Sequence, residues 1–126
     1  IIDKRRYDDS EQAQSVALIG DVKDKDCIIF DDEIATGGSI REAARILRDF
    51  GAAKVRVGVT HPILSGNATD VLANADLDEI VVTDTVPVSV EKRQAIPQLR
   101  VLSTARLFGD AILRIHGGRS LSEIME

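Results

Sequence analysis

The stretch from Phe30 to Ile40 reads Phe-Asp-Asp-Glu-Ile-Ala-Thr-Gly-Gly-Ser-Ile and separates two different hydrophobic patterns. Before it, the run from Cys27 to Phe30 is continuously apolar, which predicts a strand buried on both faces of a parallel sheet. After it, apolar residues recur on one face of a predicted helix that starts at Ser39 and stops at Gly51. A strand, a glycine-containing turn and a helix in this order are typical of a βα unit.

Strands and helices continue to alternate along the rest of the chain. Further strands are predicted at 55–60, 79–83 and 99–102, and further helices at 67–75 and 105–115. With right-handed crossovers, this order predicts an α/β protein with three α/β/α layers and a mostly parallel, twisted sheet. The remaining segments are predicted to be a short helix at 11–19, a loop at 86–96 and a final helical turn with a capping box formed by Ser120 and Glu123.

The composition fits one soluble domain and excludes two kinds of partner. The chain has 126 residues, of which 44% are hydrophobic and 29% charged, close to the average for globular proteins. Its net charge of -5 provides no basic surface for nucleic acid or for an anionic membrane. Any bound phosphate must therefore be held by local features.

The sequence also predicts a cytoplasmic location. No apolar stretch approaches the roughly eighteen residues that a membrane span needs, and the first residues are charged rather than signal-like. Cys27 is the single cysteine and is predicted to be a small core residue, which fits a reducing cytosol. The sequence begins at Ile1 without a methionine, and we expect that it was cut from a longer chain.

Residues Thr36 to Ser39 have the chemistry of a phosphate site. Backbone N–H groups at a helix start have no intrahelical partner and lie at the positive end of the helix dipole. Gly37 and Gly38 would let an oxyanion approach the main chain, and the hydroxyls of Thr36 and Ser39 would add donors. The alternative is that the stretch binds no ligand: the acids lie in a solvated loop, and the glycines form a turn before an N-cap at Ser39.

Asp31 and Asp32 need a different role, because two carboxylates facing a phosphate would repel it. They are expected to accept hydrogen bonds from sugar hydroxyls or to support Mg²⁺ on the far side of the ligand. A sugar phosphate satisfies both halves of the stretch. The pattern contains neither the Gly-Lys-Ser/Thr of a Walker A loop nor the Gly-x-Gly-x-x-Gly of a dinucleotide fingerprint.

The stretch from Asp31 to Ser39 resembles the ribose-phosphate loop of type I phosphoribosyltransferases. Other segments narrow the resemblance to the ribose-phosphate pyrophosphokinases, over essentially the whole chain: Asp3–Arg6, Ile19–Val22, Thr60–Ala68, Val82–Pro87, Val101–Ser103 and Arg114–Gly118. The N-terminal half of that family, which supplies much of the ATP site, has no counterpart here. The resemblance therefore implies that residues 1–126 are a phosphoribosyltransferase-like domain from the C-terminal half.

The resemblance implies an enzyme that transfers diphosphate from Mg-ATP to the C1 hydroxyl of ribose 5-phosphate, giving phosphoribosyl pyrophosphate and AMP. Thr36–Ser39 would bind the 5-phosphate, and Asp31 and Asp32 the ribose hydroxyls. Lys4 and Arg6 match the family's flexible catalytic loop, although without the resemblance they read as a mobile charged terminus. The complete enzyme is expected to be a homo-oligomer, and this chain alone to be inactive.

Several alternatives stay open. Ala35 replaces a third acid that many family members carry, which affects a ribose or metal contact rather than the phosphate cradle. Asn67 is either an N-cap or a contact to a ligand or subunit, and His61 is either structural or an interface or allosteric residue. The competing functions are a type I phosphoribosyltransferase and a non-catalytic regulatory homologue.

Overall fold

The computed structural model describes the backbone of residues 2–6 and 14–124 and the side chains of residues 18–124. In chain order the elements are β1 (Ile2–Arg6), β2 (Gln14–Leu18), β3 (Asp26–Ile34), α1 (Gly38–Asp49), β4 (Lys54–Pro62), α2 (Ala68–Ala73), β5 (Glu79–Thr83), α3 (Val90–Ala95), β6 (Leu99–Leu102), α4 (Ala105–His116) and a 3₁₀ turn (Ser122–Ile124). Within these ranges no helix has the length and apolar character needed to cross a membrane.

The four strands β3 to β6 form a parallel sheet in the order β3-β4-β5-β6, while β1 and β2 form a separate antiparallel pair. The prediction of an α/β protein with a parallel sheet is confirmed. Because the strand order advances in one direction, right-handed crossovers place α1, α2 and α3 on the same face. The carboxyl ends of all four strands lie at one edge of the sheet.

The core lies between this face and the helices. Alternate residues of β4 and β5 point into it, and Val55, Ile80 and Val82 have no exposed surface. From the helices, Ala44 and Leu72 are equally buried. Full burial of each larger aliphatic side chain stabilises the fold by about 1.5–3 kcal/mol, so this layer holds the β3–α1 unit in place.

The opposite face of β3 is open in the described residues. Ile28 is 55% exposed and Phe30 is 79% exposed, so the prediction that this strand is buried on both faces was wrong. The physical reason is that β3 is the edge strand of this sheet and has helices on one face only. Helix α4, which follows the last strand, has no buried residue.

Two local predictions were also wrong. Residues 14–18 of the predicted helix form strand β2, since Val16 and Leu18 also fit the alternation of a strand that pairs with β1. Residues 11–13 of that predicted helix lie outside the described ranges.

The predicted loop at 86–96 contains α3, whose N-cap Ser89 accepts a hydrogen bond from the backbone N–H of Lys92 at 3.4 Å. The residues that follow Ser89 are mostly good helix formers, a signal that the flanking prolines obscured.

The predicted caps differ from the observed ones. Asn67 is the N-cap of α2 by position, but its side chain makes no capping hydrogen bond. Near the end of the chain, the carboxylate of Glu123 pairs with Arg114 at 2.6 Å instead of completing a capping box. The final helical turn itself is present, at Ser122–Ile124.

Candidate functional site

A cavity of about 260 Å³ lies where β3 passes into α1, and it is lined by residues 31–40. The acids Asp31, Asp32 and Glu33 belong to the last part of β3, which runs on to Ile34 rather than ending at Phe30. The β3–α1 loop, residues 35–37, turns the chain into the helix. The site therefore lies beyond the carboxyl end of a parallel strand, the usual ligand position in such sheets.

The first turn of α1 presents backbone donors to this cavity. The first bond of the helix runs from the Arg41 N–H to the Gly37 carbonyl at 3.0 Å, so the amides of Gly38, Ser39 and Ile40 precede it. The helix has 12 residues and no acid in its first turn, so no acidic side chain of that turn offsets its positive end. This end of the helix is suited to an anion.

The alternative of an N-cap at Ser39 was wrong. The N-cap is Gly37, the cap has no side-chain hydrogen bond, and Ser39 is the second residue of the helix. The side chains of Thr36 and Ser39 are both exposed beside the cavity. Their hydroxyls are thus available to a ligand in the same place as the amides.

The two glycines differ in what they are needed for. Gly37 has φ 78°, and a Cβ there would lie 3.0 Å from Cγ of Leu72, so both conformation and packing require glycine. A Cβ at Gly38 would meet only Thr36 Oγ1, at 3.9 Å. The fold does not require glycine at position 38, and its missing side chain leaves space in front of the main chain.

Asp31 and Asp32 are oriented by the backbone of their own strand. Oδ1 of Asp31 accepts from the N–H of Asp32 at 2.9 Å, and Oδ1 of Asp32 accepts from the N–H of Glu33 at the same distance. Both side chains are exposed. Among the described residues, the second oxygen of each carboxylate has no hydrogen-bond partner, so it can accept from a ligand hydroxyl.

The described residues contain no group of three or more His, Cys, Asp or Glu that could hold a metal ion. This is compatible with Mg²⁺, which is commonly bound by one or two carboxylates together with waters and the phosphate oxygens of a substrate. Asp31 and Asp32 would be the residues to hold it. The ion would supply charge neutralisation for a bound phosphate.

His61 lies at the same edge of the sheet, opposite Glu33 in the β3–β4 register. Its Nδ1 is 2.9 Å from Oγ1 of Thr85. The hydroxyls of Thr83 and Thr85 each lie within hydrogen-bond distance of the Thr60 carbonyl, at 2.6 and 2.9 Å. His61 therefore has a structural contact, as the first of its two alternatives predicts, while an interface or allosteric role stays a prediction.

The structure places Lys4 and Arg6 in strand β1 rather than in a loop, opposite Val16 and Gln14 of β2. Their side chains lie outside the described residues. Their predicted approach to the transferred phosphates stays a prediction.

Ser65 and Lys92 were not identified as site residues from the sequence. The backbone N–H of Ser65 donates to the carbonyl of Ala35 at 2.8 Å, and Nζ of Lys92 donates to the carbonyl of Leu64 at 2.8 Å. These bonds join segments about 30 positions apart in sequence, which no local pattern indicates.

Residues 7–126 match the family described as the phosphoribosyl synthetase-associated domain. The chain belongs to this family. The chain is similar to the ribose-phosphate pyrophosphokinase of Marinomonas sp. (strain MWYL1), which is 46% identical over 122 residues, 97% of this chain and 38% of the relative.

The ribose-phosphate pyrophosphokinase of Haemophilus ducreyi is 44% identical over 126 residues, 100% of this chain and 39% of the relative. The crystal structure of phosphoribosylpyrophosphate synthetase from Mycobacterium smegmatis superposes with a TM-score of 0.77 at 40% identity, over 86% of this chain and 35% of that one. The predicted relation to the ribose-phosphate pyrophosphokinases is thus confirmed. This member of the phosphoribosyl synthetase-associated domain family spans 38–39% of the length of the two relatives.

Proposed function

We propose that this chain is the ribose 5-phosphate-binding domain of a ribose-phosphate pyrophosphokinase. The reaction transfers diphosphate from Mg-ATP to the C1 hydroxyl of ribose 5-phosphate and yields phosphoribosyl pyrophosphate and AMP. The observation that carries the proposal is the cavity at residues 31–40, where free helix amides and oriented carboxylates lie on one continuous stretch. In this proposal residues 1–126 are a domain in the C-terminal half of a longer, homo-oligomeric enzyme.

The polarity of the cavity matches the two ends of a sugar phosphate. The amides and hydroxyls of Thr36, Gly37, Gly38 and Ser39 would bind the 5-phosphate, because they supply donors and no negative charge. The carboxylates at the end of β3 would accept hydrogen bonds from the ribose hydroxyls. The ligand is thereby oriented with its C1 hydroxyl away from the helix start, which prepares it for attack on a phosphorus atom.

The cations for the transferred phosphates must come from elsewhere, since residues 31–40 include no Lys or Arg. We assign this role to Lys4 and Arg6. Phosphoryl chemistry relies on positioning and on neutralising the charge that spreads over the oxygens in the transition state. In a complete enzyme, Lys4→Ala or Arg6→Ala should reduce turnover by orders of magnitude with little change in affinity for ribose 5-phosphate. Lost affinity with normal turnover would show that these residues hold the sugar phosphate instead.

A binding experiment with Gly38→Val tests the assignment of the phosphate site. A Cβ at position 38 would meet only Thr36 Oγ1, at 3.9 Å, and the valine methyls would fill the space in front of the amides, so we expect loss of ribose 5-phosphate binding with the fold intact. Calorimetric titration measures the affinity, and circular dichroism checks the fold. Gly109→Val in α4 is the matched control outside the site, since a Cβ at Gly109 would meet nothing within 4 Å.

Equal affinity in the two valine variants would overturn the site assignment. The complete reaction would be assayed as AMP formation from ATP, Mg²⁺ and ribose 5-phosphate. We expect none from this chain alone, because it spans 38–39% of its relatives and we assign ATP orientation to groups outside it.

A further inference from the structure

Residues 63–67, the segment that follows β4, donate hydrogen bonds to two backbone carbonyls of the candidate site. We call it the supporting segment. The N–H of Leu64 donates to the carbonyl of Ile34, the last residue of β3, at 3.0 Å. Ser65 donates twice to the carbonyl of Ala35, from its backbone N–H at 2.8 Å and from Oγ at 3.3 Å. Three donors therefore hold two adjacent carbonyls, one donor at Ile34 in β3 and two at Ala35 in the β3–α1 loop.

The supporting segment is itself held in an unusual conformation. Leu64 has φ 50°, a left-handed backbone that costs a non-glycine residue free energy, and its side chain is only 2% exposed. From α3, Nζ of Lys92 donates to the carbonyl of Leu64 at 2.8 Å, with Lys92 partly buried. Burial of the leucine side chain and this charge-assisted bond together offset the backbone cost.

Because each peptide unit is planar, these hydrogen bonds also fix the direction of two backbone amides. In a trans peptide the carbonyl of one residue and the N–H of the next point in opposite directions, and the described chain has no cis peptide bond. With the carbonyls of Ile34 and Ala35 directed at the supporting segment, the amides of Ala35 and Thr36 are directed away from it. Ala35 and Thr36 both line the cavity.

We propose that Ser65 and Lys92 are positioning residues that fix the amides of the β3–α1 loop for a bound phosphate. This inference rests on the proposed function, because it requires the loop to bind a phosphate group. Neither residue touches the ligand in this account. Lys92 acts through the carbonyl of Leu64, and Ser65 acts through the carbonyl of Ala35.

The test compares Lys92→Met with Arg93→Met in this chain. Arg93 is the next residue of α3 and also donates to a backbone carbonyl, that of Val88, at 3.1 Å. Both variants lose one positive charge and one bond to the main chain, but only Lys92 connects to the loop. The dissociation constants for inorganic phosphate and for ribose 5-phosphate would be measured by NMR titration, with the amide shift of Thr36 recorded before ligand is added.

Lys92→Met should weaken both affinities about three- to tenfold, the effect of one hydrogen bond, and should move the Thr36 amide resonance. Ser65→Ala should act in the same direction and less strongly, since its backbone donor remains. Lys92→Arg should restore most of the affinity, because its guanidinium can donate to the same carbonyl. Arg93→Met should leave the affinities and the Thr36 resonance unchanged.

Equal affinities and equal Thr36 shifts in Lys92→Met and Arg93→Met would overturn the positioning role while leaving the proposed function intact. A distinct outcome is that the unaltered chain binds neither phosphate nor ribose 5-phosphate. That result would overturn the proposed function, and the positioning role with it.

Discussion

The β3–α1 loop and helix α4 each follow a strand of the same sheet, yet the rest of the chain packs against them very differently. Behind the loop lie Ile34, Leu64 and Leu72, which are at most 2% exposed. On α4 the large apolar residues remain open to solvent, with Phe108 at 55% and Ile112 at 65%. Loop and helix therefore differ in how much buried apolar surface holds them.

This difference separates the parts that position the site from the parts that do not. The loop is held by a buried core and by hydrogen bonds from the supporting segment, so its conformation is set before a ligand arrives. In the described residues, α4 has no buried residue and so draws little free energy from burial, and its main contacts with another element are with the final 3₁₀ turn. Substitutions in the two regions should differ in cost accordingly.

The largest expected effect is that of Leu72→Ala. Leu72 is fully buried and contacts the position where Gly37 would carry a Cβ. Removing its side chain should lower the free energy of unfolding by about 2–5 kcal/mol. Leu113→Ala in α4, where the leucine is 63% exposed, is the matched control and should cost within about 0.5 kcal/mol. Urea unfolding measures both, and similar losses would contradict the comparison.

A smaller effect is expected at Gly37. In Gly37→Ala the residue would have a left-handed backbone and a Cβ 3.0 Å from Cγ of Leu72. Gly66→Ala provides the control, because Gly66 has φ 57° and nothing within 4 Å of its Cβ position. Backbone strain alone should cost about 1–2 kcal/mol in each variant. We expect the Gly37 variant to lose more in urea unfolding, and equal losses would show that the loop is not packed tightly against α2.

The smallest effect concerns the start of α4. Oδ1 of Asp84 accepts from the N–H and the hydroxyl of Thr104, at 2.7 and 2.6 Å. These hydrogen bonds, the hydroxyl first, lower the pKa of Asp84 from 3.8 to about 2. Since the folded pKa lies below the unfolded value, the carboxylate stabilises the fold fully above pH 3.8, and this contribution is lost as the pH falls through about 2.

The corresponding measurement is thermal unfolding of the unaltered chain and of Asp84→Asn between pH 5 and pH 2. The stability difference between the two proteins should shrink as the pH falls across this window. A difference that stays constant would mean that ionised Asp84 does not stabilise the start of α4.

Much of the sheet and the site followed from local sequence patterns. The β3–α1 stretch was predictable because an apolar run, two acids, two glycines and an amphipathic helix are contiguous, and β5 was predicted with its observed bounds. The wrong or missing predictions concern features that depend on contacts between residues far apart in the sequence. Strand β2 depends on pairing with β1, the exposure of Phe30 depends on which face the helices cover, and Ser65 reaches a carbonyl 30 positions away.

The central claim is that ribose 5-phosphate binds at the start of α1, and an NMR titration of this chain with backbone amide assignments tests it most directly. The account predicts saturable shifts that are largest at the amides of Thr36, Gly37, Gly38 and Ser39, with the amide of Ile112 in α4 unaffected. Binding whose largest shifts lie outside residues 31–40, or no binding at millimolar ribose 5-phosphate, would contradict it.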